Sequence, residues 1–316
     1  MTTGQHIGST SGPDQPIHYV QRHEIDPIRW DNCIHRSTNS LLYGLHFYLD
    51  HMTAGQWDAL VLGDYEAVMP LPWRRKYGIR YLYQPPFTQQ TGIFSARALP
   101  PNLIDAFLQT TRDHFRFAEL FLNYGNAHPS LQPRTNYTLS LDAPYEEIAN
   151  HYKKILVYSL KLAARASVTY TSGIDLETAL AANHREYATR TPHVTKTDHA
   201  HFRALCQDLH NRGQLILRAA TGPDKKLLAT ALLFRDQHRL YLLQSTTPKA
   251  GRKVEAGRFL LDQLIREFAA QPIVLDFEGS EIPGIAQFYQ NFGSTRQPYF
   301  FYRYNHLPWP INLLKG

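Results

Sequence analysis

Residues 241–293 read YLLQSTTPKAGRKVEAGRFLLDQLIREFAAQPIVLDFEGSEIPGIAQFYQNFG. Arg239 to Gln244 is an apolar, aromatic run with strand character. A loop holding Gly251, Arg252, Lys253 and Gly257 follows it. Between Lys249 and Arg258 there are four basic residues and one acid, Glu255. Val254 to Ala269 then has helical spacing, with Phe259, Leu260, Leu264 and Phe268 on one side. Ile273 to Phe277 is a second strand, and Ile285 to Asn291 a short helix. Strand, basic glycine loop, helix, strand is an arrangement that aims backbone donors at an anion. The loop has neither the Gly-x-x-x-x-Gly-Lys-Ser/Thr nor the Gly-x-Gly-x-x-Gly spacing, so it is not an ordinary nucleotide fingerprint.

Working outward, the second half opens with a strand at Tyr137 to Leu141 and a long helix from Pro144 to about Ala166. A short strand at Val168 to Tyr170 and helices at Leu176 to Thr189 and Thr197 to Arg212 come next. Gln214 to Ala220 and Leu227 to Phe234 pair as a hairpin around Gly222, and Pro298 to Tyr304 is a last strand. The first half is a shorter relative. It has a helical segment at Trp30 to Ile34, an ambiguous aromatic run at Leu41 to Met52 and a hairpin turning at Gly63-Asp64. The run IRYLYQPPF is ended by Pro85-Pro86, and a helix over Leu103 to Phe117 leads into a strand at Ala118 to Leu122. Length supports two units: 316 residues exceed one hydrophobic core. The expected division is a tail over 1–15, a first unit over 16–135 and a second over 136–316. Asn123 to Thr135 joins them, and the final strand is open to sharing.

Candidate chemistry sits in three places. Asp276 and Glu278 alternate along a strand end, so both are expected on one face, where one would hold or deprotonate an amine. Gln244, Ser245, Gly251, Arg252, Lys253 and Gly257 form the candidate anion cradle. In the first half, Trp73, Arg74, Arg75, Tyr83, Gln89 and Gln90 combine a basic turn with aromatics and amides. Lys153, Lys154, Lys161 and Arg165 add a basic helix face, with Lys154 placed among the groove residues. The alternative for each is ordinary: turn hydrogen bonds for the carboxylates, a solvated turn for the cradle, a buried sheet for the aromatics.

The segment DFEGSEIPGIAQFYQNFG resembles the end of the GNAT-type domain in Fem-type peptidoglycan aminoacyltransferases and their acetyltransferase-like relatives. Asp276, Phe277, Gly279, Phe288, Phe292 and Gly293 carry the likeness. The start of the second half, with Asp142 and its basic helix, and the hairpin and strand over Leu215 to Gln244 are similar too. The resemblance implies an α+β fold of tandem GNAT-like domains, with mixed sheets flanked by helices and a groove between the halves. It implies a pantetheine-type donor where two parallel strands splay, its pyrophosphate on Thr247 to Gly257, and Tyr289 donating to the leaving group. The donor is then acetyl-CoA or another acyl-CoA, or an aminoacyl-tRNA. The acceptor is a peptidoglycan-precursor-like primary amine. The spacing of Arg252 and Gly257 departs from the usual Arg/Gln-x-x-Gly-x-Gly/Ala arrangement, which keeps both donors open.

Composition excludes several classes. Lys and Arg total 33 against 27 Asp and Glu, a formal charge of +6 that is mild for this length. Cys33 and Cys206, far apart, read as two free thiols. The 16 histidines show no His-Glu-x-x-His pattern, and His193, His199 and His201 lack a ligand pattern. No apolar run reaches the ~18 residues of a spanning helix, and no signal-like start is visible, so a cytoplasmic protein is expected. Ser159, Ser245 and Ser280 have no nucleophile-elbow setting. Acyl or aminoacyl transfer to an amine leads. The competing reading is a catalytically inactive duplicate that binds an anionic or nucleotide-containing ligand.

Overall fold

The computed structural model describes residues 15–187, 194–279, 281–310 and 312. The expected tail over 1–15 lies almost wholly outside them, as do His193 and Ser280. The chain divides into two compact units, Met1–Pro133 with Tyr299–Gly316, and Arg134–Pro298.

The first unit contains β1 (Ile17–Val20), α1 (Pro27–Arg36), α2 (His46–Thr53), β2 (Trp57–Leu62), β3 (Ala67–Lys76), β4 (Ile79–Leu82), β5 (Phe94–Ser95), α3 (Pro101–His114), β6 (Phe117–Leu122) and β7 (Gln132–Arg134), which leads into the second unit. Asp26 starts α1 by accepting from the Ile28 and Arg29 amides at 2.9 and 3.1 Å, with Pro27 in the first helical position. The aromatic run at 41–52 resolves into a tight turn and α2. Its buried Phe47, Tyr48, Leu49 and Met52 recur too closely for a strand. The sheet order is β1-β2-β3-β4-β6, then the chain's last strand, β15 (Tyr299–Asn305), then β7, with β5 on β3. β15 lies antiparallel to β6 from Phe300 opposite Leu122 to Asn305 opposite Phe117.

Asn123 and Asn126, in the stretch read as a joining segment, are fully buried. Asn39 Nδ2 and Asn126 Nδ2 both donate to the Ile93 carbonyl at 2.8 Å, and Ile93 N–H donates back to Asn126 Oδ1 at 2.8 Å. These amides satisfy backbone groups that no strand reaches, so a polar, turn-rich stretch is packed inside.

The second unit runs β8 (Tyr137–Ser140), α4 (Tyr145–Ala149), α5 (Lys154–Arg165), β9 (Thr169–Thr171), α6 (Leu176–Tyr187), α7 (Lys196–Asn211), β10 (Leu215–Thr221), β11 (Leu227–Arg235), β12 (Arg239–Thr246), α8 (Lys249–Lys253), α9 (Ala256–Phe268), β13 (Val274–Asp276), α10 (Pro283–Gln290) and β14 (Thr295–Arg296). Its sheet order is β14-β8-β13-β12-β11-β10-β9. β11, LLATALLFR, is buried along all but its two ends, as its continuous apolar run requires. One face of the sheet packs on α9 through Leu260, Leu261, Leu264 and Ile265. The other meets α7, where Phe202 lies 5.8 Å from Phe234 of β11. The long helix expected from Pro144 to Ala166 is two helices. Lys153 is extended and its N–H donates to the Asn291 carbonyl at 2.9 Å, which ends the helical path. Lys153 therefore precedes α5, and the expected four-residue basic helix face is reduced to Lys154, Lys161 and Arg165 on the helix itself. This is an α+β fold with mixed central sheets flanked by helices.

Candidate functional site

The distinctive geometry of the second unit is where β12 and β13 part. They run parallel and share three register pairs, Arg239 with Val274, Leu240 with Leu275 and Tyr241 with Asp276. β12 then continues to Thr246, while the other chain leaves along β8, with Phe277 N–H donating to the Tyr137 carbonyl at 3.0 Å. A slot opens beside Leu242–Thr246, whose backbone groups on that edge have no strand next to them among the described residues. The sequence places the two strands but cannot fix this divergence, because it depends on which neighbour Phe277 follows.

A bulge in β12 sorts the side chains at the slot. β11 steps from Phe234 to Leu232 while β12 steps from Tyr241 to Gln244, so β12 carries one extra residue. Gln244 therefore shares the α7 face with Tyr241, and Ser245, opposite Ala231, turns toward α9. The two residues grouped in the cradle thus sit on opposite faces. Gln244 is 9% exposed and lines a cavity of about 420 Å³ under α6 and α7. Ser245 offers its carbonyl to the Tyr187 hydroxyl at 3.4 Å.

The carboxylates do not alternate on one strand face. β13 ends at Asp276, and Glu278 and Gly279 both adopt left-handed conformations, φ 58° and 54°. Asp276 is wholly buried. Its Oδ2 receives Arg239 Nη1 at 2.5 Å, and its Oδ1 receives Asn136 Nδ2 and the Glu278 N–H, each at 2.9 Å. Both oxygens are committed, so Asp276 shapes the turn and neutralises a buried guanidinium. Glu278 follows Asp276 in this turn, partly buried and near the Tyr289 hydroxyl. Gly279 is required where it stands: a Cβ would lie 2.4 Å from the Thr135 carbonyl at an unfavourable φ.

Tyr289, partly buried on α10, stacks on Phe277 with centroids 4.7 Å apart. Burial first, then the neighbouring Tyr187, Glu278 and Asp276, push its hydroxyl well above the ordinary tyrosine value, so it stays protonated. Tyr187, which stands near this hydroxyl and donates to the Ser245 carbonyl, is a residue that sequence reasoning missed; a tyrosine closing a helix carries no local signal of its partners.

The expected basic loop is largely helical. Gly251 is buried, and a Cβ there would come 1.8 Å from the Leu228 carbonyl, so this glycine lets α8 press against β11. A Cβ on Gly257 would come 2.5 Å from Thr247 Oγ1. Both glycines thus have packing reasons. Arg252 donates to the Thr247 carbonyl at 2.7 Å and pairs with Glu186 at 3.2 Å; Arg258 is paired with Glu255. Lys253 is exposed at the end of α8, and the first turn of α9 begins at Ala256 between Glu255 and Gly257. Much of the cationic character read from the sequence is thereby balanced inside the fold.

The remaining groove candidates fall in both units. In the first, the Arg74 guanidinium lies 4.2 Å over the Tyr83 ring, and Arg80 lies 5.4 Å over Trp73. Arg75 is exposed opposite Arg80 in the β3–β4 hairpin. Gln90 is fully buried, donating to Gln89 Oε1 at 2.5 Å and accepting from the Tyr124 N–H at 3.1 Å, so it braces a turn. Lys154 is exposed at the start of α5 in the second unit.

Cys33 and Cys206 are buried free thiols, and burial pushes Cys33 up to about 11 and Cys206 higher still, which leaves both unreactive. Among the described residues no group of three or more His, Cys, Asp or Glu is placed to hold a metal, and no helix is long and apolar enough to cross a membrane.

Residues 152–288 match the family model described as an acetyltransferase (GNAT) domain. No curated protein matches the sequence. Among solved structures, FemX is similar with a TM-score of 0.62 at 14% identity, over 92% of this chain and 98% of FemX. A conserved protein of unknown function from Bacteroides thetaiotaomicron VPI-5482 gives 0.51 at 11% identity, over 91% and 98% of the two chains. L-PGS from Bacillus licheniformis gives 0.50 at 9%, over 92% and 95%. At these identities the likeness is one of fold. The chain therefore has a GNAT-type fold, matched by the family model over residues 152–288 and similar in architecture to FemX.

Proposed function

We propose that the second unit transfers an acyl or aminoacyl group from an activated donor to a primary amine. The observation that carries this reading is the parting of β12 from β13 after three register pairs, which leaves backbone donors and acceptors along Leu242–Thr246 for an extended donor arm. Direct transfer needs no protein nucleophile. It needs an aligned amine, a proton acceptor and an acid for the leaving group. Glu278 takes the amine's proton, directly or through water. Tyr289, held protonated, donates to the departing thiolate or alkoxide. Asp276 positions Glu278 through its hydrogen bond to the Glu278 N–H. The start of α9, with Lys253 at the end of α8 beside it, holds donor phosphate. An acyl-CoA and an aminoacyl-tRNA both satisfy this arrangement, and the acceptor is an amine of the peptidoglycan-precursor kind.

One observation favours a ligand-binding duplicate without chemistry: Arg252 and Arg258 are already paired with Glu186 and Glu255, which weakens the donor site. Titration calorimetry with acetyl-CoA and with charged tRNA, followed by acyl transfer to a panel of amines, separates the two readings. Glu278→Gln is expected to lower turnover by about 10²–10⁴-fold with little change in donor affinity. Donor binding with no transfer to any amine, or full turnover by Glu278→Gln, overturns the catalytic reading.

A further inference from the structure

The cavity beneath α6 and α7 is built into the second unit, with every lining residue between Glu177 and Gln244. At about 420 Å³ it has room for a small ligand. Its helical walls are fixed at their starts. Asp175 accepts from the Thr178 N–H at 2.8 Å ahead of α6. Thr195 and Asp198 exchange capping bonds of 3.1 and 2.9 Å at the start of α7.

Gln244 lies on the sheet face with Leu232 directly opposite and Phe234 and Phe202 buried beyond it. Thr246, the next residue on that face, receives Asn183 Nδ2 at 3.1 Å, and Asn183, His184 and His199 also line the cavity. Gln244 Oε1 is buried and accepts no hydrogen bond among the described residues. An amide oxygen left so carries a desolvation cost that an apolar residue would avoid. A ligand N–H removes it. At the mouth, Arg203 is paired with Glu177 at 2.9 Å, and Arg185 stands beside them with no acid paired to it among the described residues. The inner end therefore calls for a hydrogen-bond donor and the outer end for a negative charge. Leu180, Ala181 and Phe202 supply apolar wall between them.

We infer that this cavity holds the acceptor, and that the acceptor is an α-amino carboxylate. Its amine donates to Gln244 Oε1, beside the slot, and its carboxylate meets Arg185. The inference rests on the transfer reading for its place in a reaction, but the binding itself is measured without any donor.

The test is titration calorimetry on the full chain with leucine, leucinamide and 4-methylpentanoate, which share one apolar side chain; the last lacks any donor at the α-carbon. Leucine is expected to bind at least tenfold more tightly than the other two. Gln244→Leu should make leucine and 4-methylpentanoate equal; Arg185→Gln should make leucine and leucinamide equal. Gln244→Leu removes an unsatisfied buried oxygen, so it is expected to melt no lower than the parent protein, which keeps the measurement interpretable. Leucine binding no tighter than 4-methylpentanoate in the parent, or an undiminished preference in Gln244→Leu, overturns the inference. Selective leucine binding without any acyl transfer removes the transfer reading alone. Transfer to neutral amines at an undiminished rate by Gln244→Leu removes this inference alone.

Discussion

Asp276→Asn is expected to damage folding before it touches chemistry. Asp276 and Arg239 face each other with side chains 1% and 8% exposed. The substitution turns an amide NH₂ toward the guanidinium, or turns it toward the Asn136 amide that donates to the other oxygen. Arg239 would keep the Gln297 Oε1 contact at 3.1 Å but lose its carboxylate. Removing one member of a buried ion pair costs about 3–5 kcal/mol, because the remaining charge stays out of water uncompensated. For a unit of this size that is a melting-temperature loss of roughly 6–20 °C, at about 2–4 °C per kcal/mol. Urea titration followed by tyrosine and tryptophan fluorescence reads the loss as a lower midpoint at constant slope. The paired replacement Asp276→Leu with Arg239→Met, which removes both charges, should recover much of it. If Asp276→Asn is as stable as the parent and only turnover falls, Asp276 is a catalytic carboxylate and the positioning argument fails.

Gly251→Ala should lower stability by about 1–3 kcal/mol, since the new methyl meets the Leu228 carbonyl, a backbone atom of the central strand. An unchanged urea midpoint would show that α8 is free to move away. Glu267 is partly buried, which opposes its ionisation, but hydrogen bonds from Arg218 and Tyr170 outweigh this and hold its carboxyl below the ordinary 4.5. Its contribution is thus present above that value and is lost as the pH falls through and below it. Glu267→Gln should therefore destabilise at pH 7, with the difference from the parent shrinking as the pH falls below 4.5; parallel stability curves would contradict this. Arg252→Ala should change stability by less than about 1 kcal/mol, as for other exposed pairs, and its donor affinity in calorimetry then reports whether this side chain reaches donor phosphate.

Elements with a strong local pattern were legible in the sequence. The continuous apolar run of β11, the one-sided spacing of α9 and the turn at Gly63-Asp64 each carry their own period or punctuation, so they form where expected. The break between α4 and α5 was not legible, because it depends on a hydrogen bond from Lys153 to Asn291, 138 positions away along the chain. The same holds for Asn123 and Asn126: their composition says loop, and only the packing of Ile93 between them says interior.

For the candidate site the division is similar. The sequence by itself determined the order of strand, glycine-bearing turn, helix and strand, and thus which residues stand near the ends of β12 and β13. Tertiary structure decided what each can do. Asp276 and Glu278 differ by two positions, yet one is consumed by a buried guanidinium and the other is carried past the strand end by a left-handed turn. One extra residue in β12 rotates Gln244 to the α7 face and Ser245 to the α9 face. The physical reason is that local propensity fixes where backbone hydrogen bonds repeat, whereas the fate of a polar side chain depends on desolvation and on partners distant in sequence, which exist only once the sheet has closed.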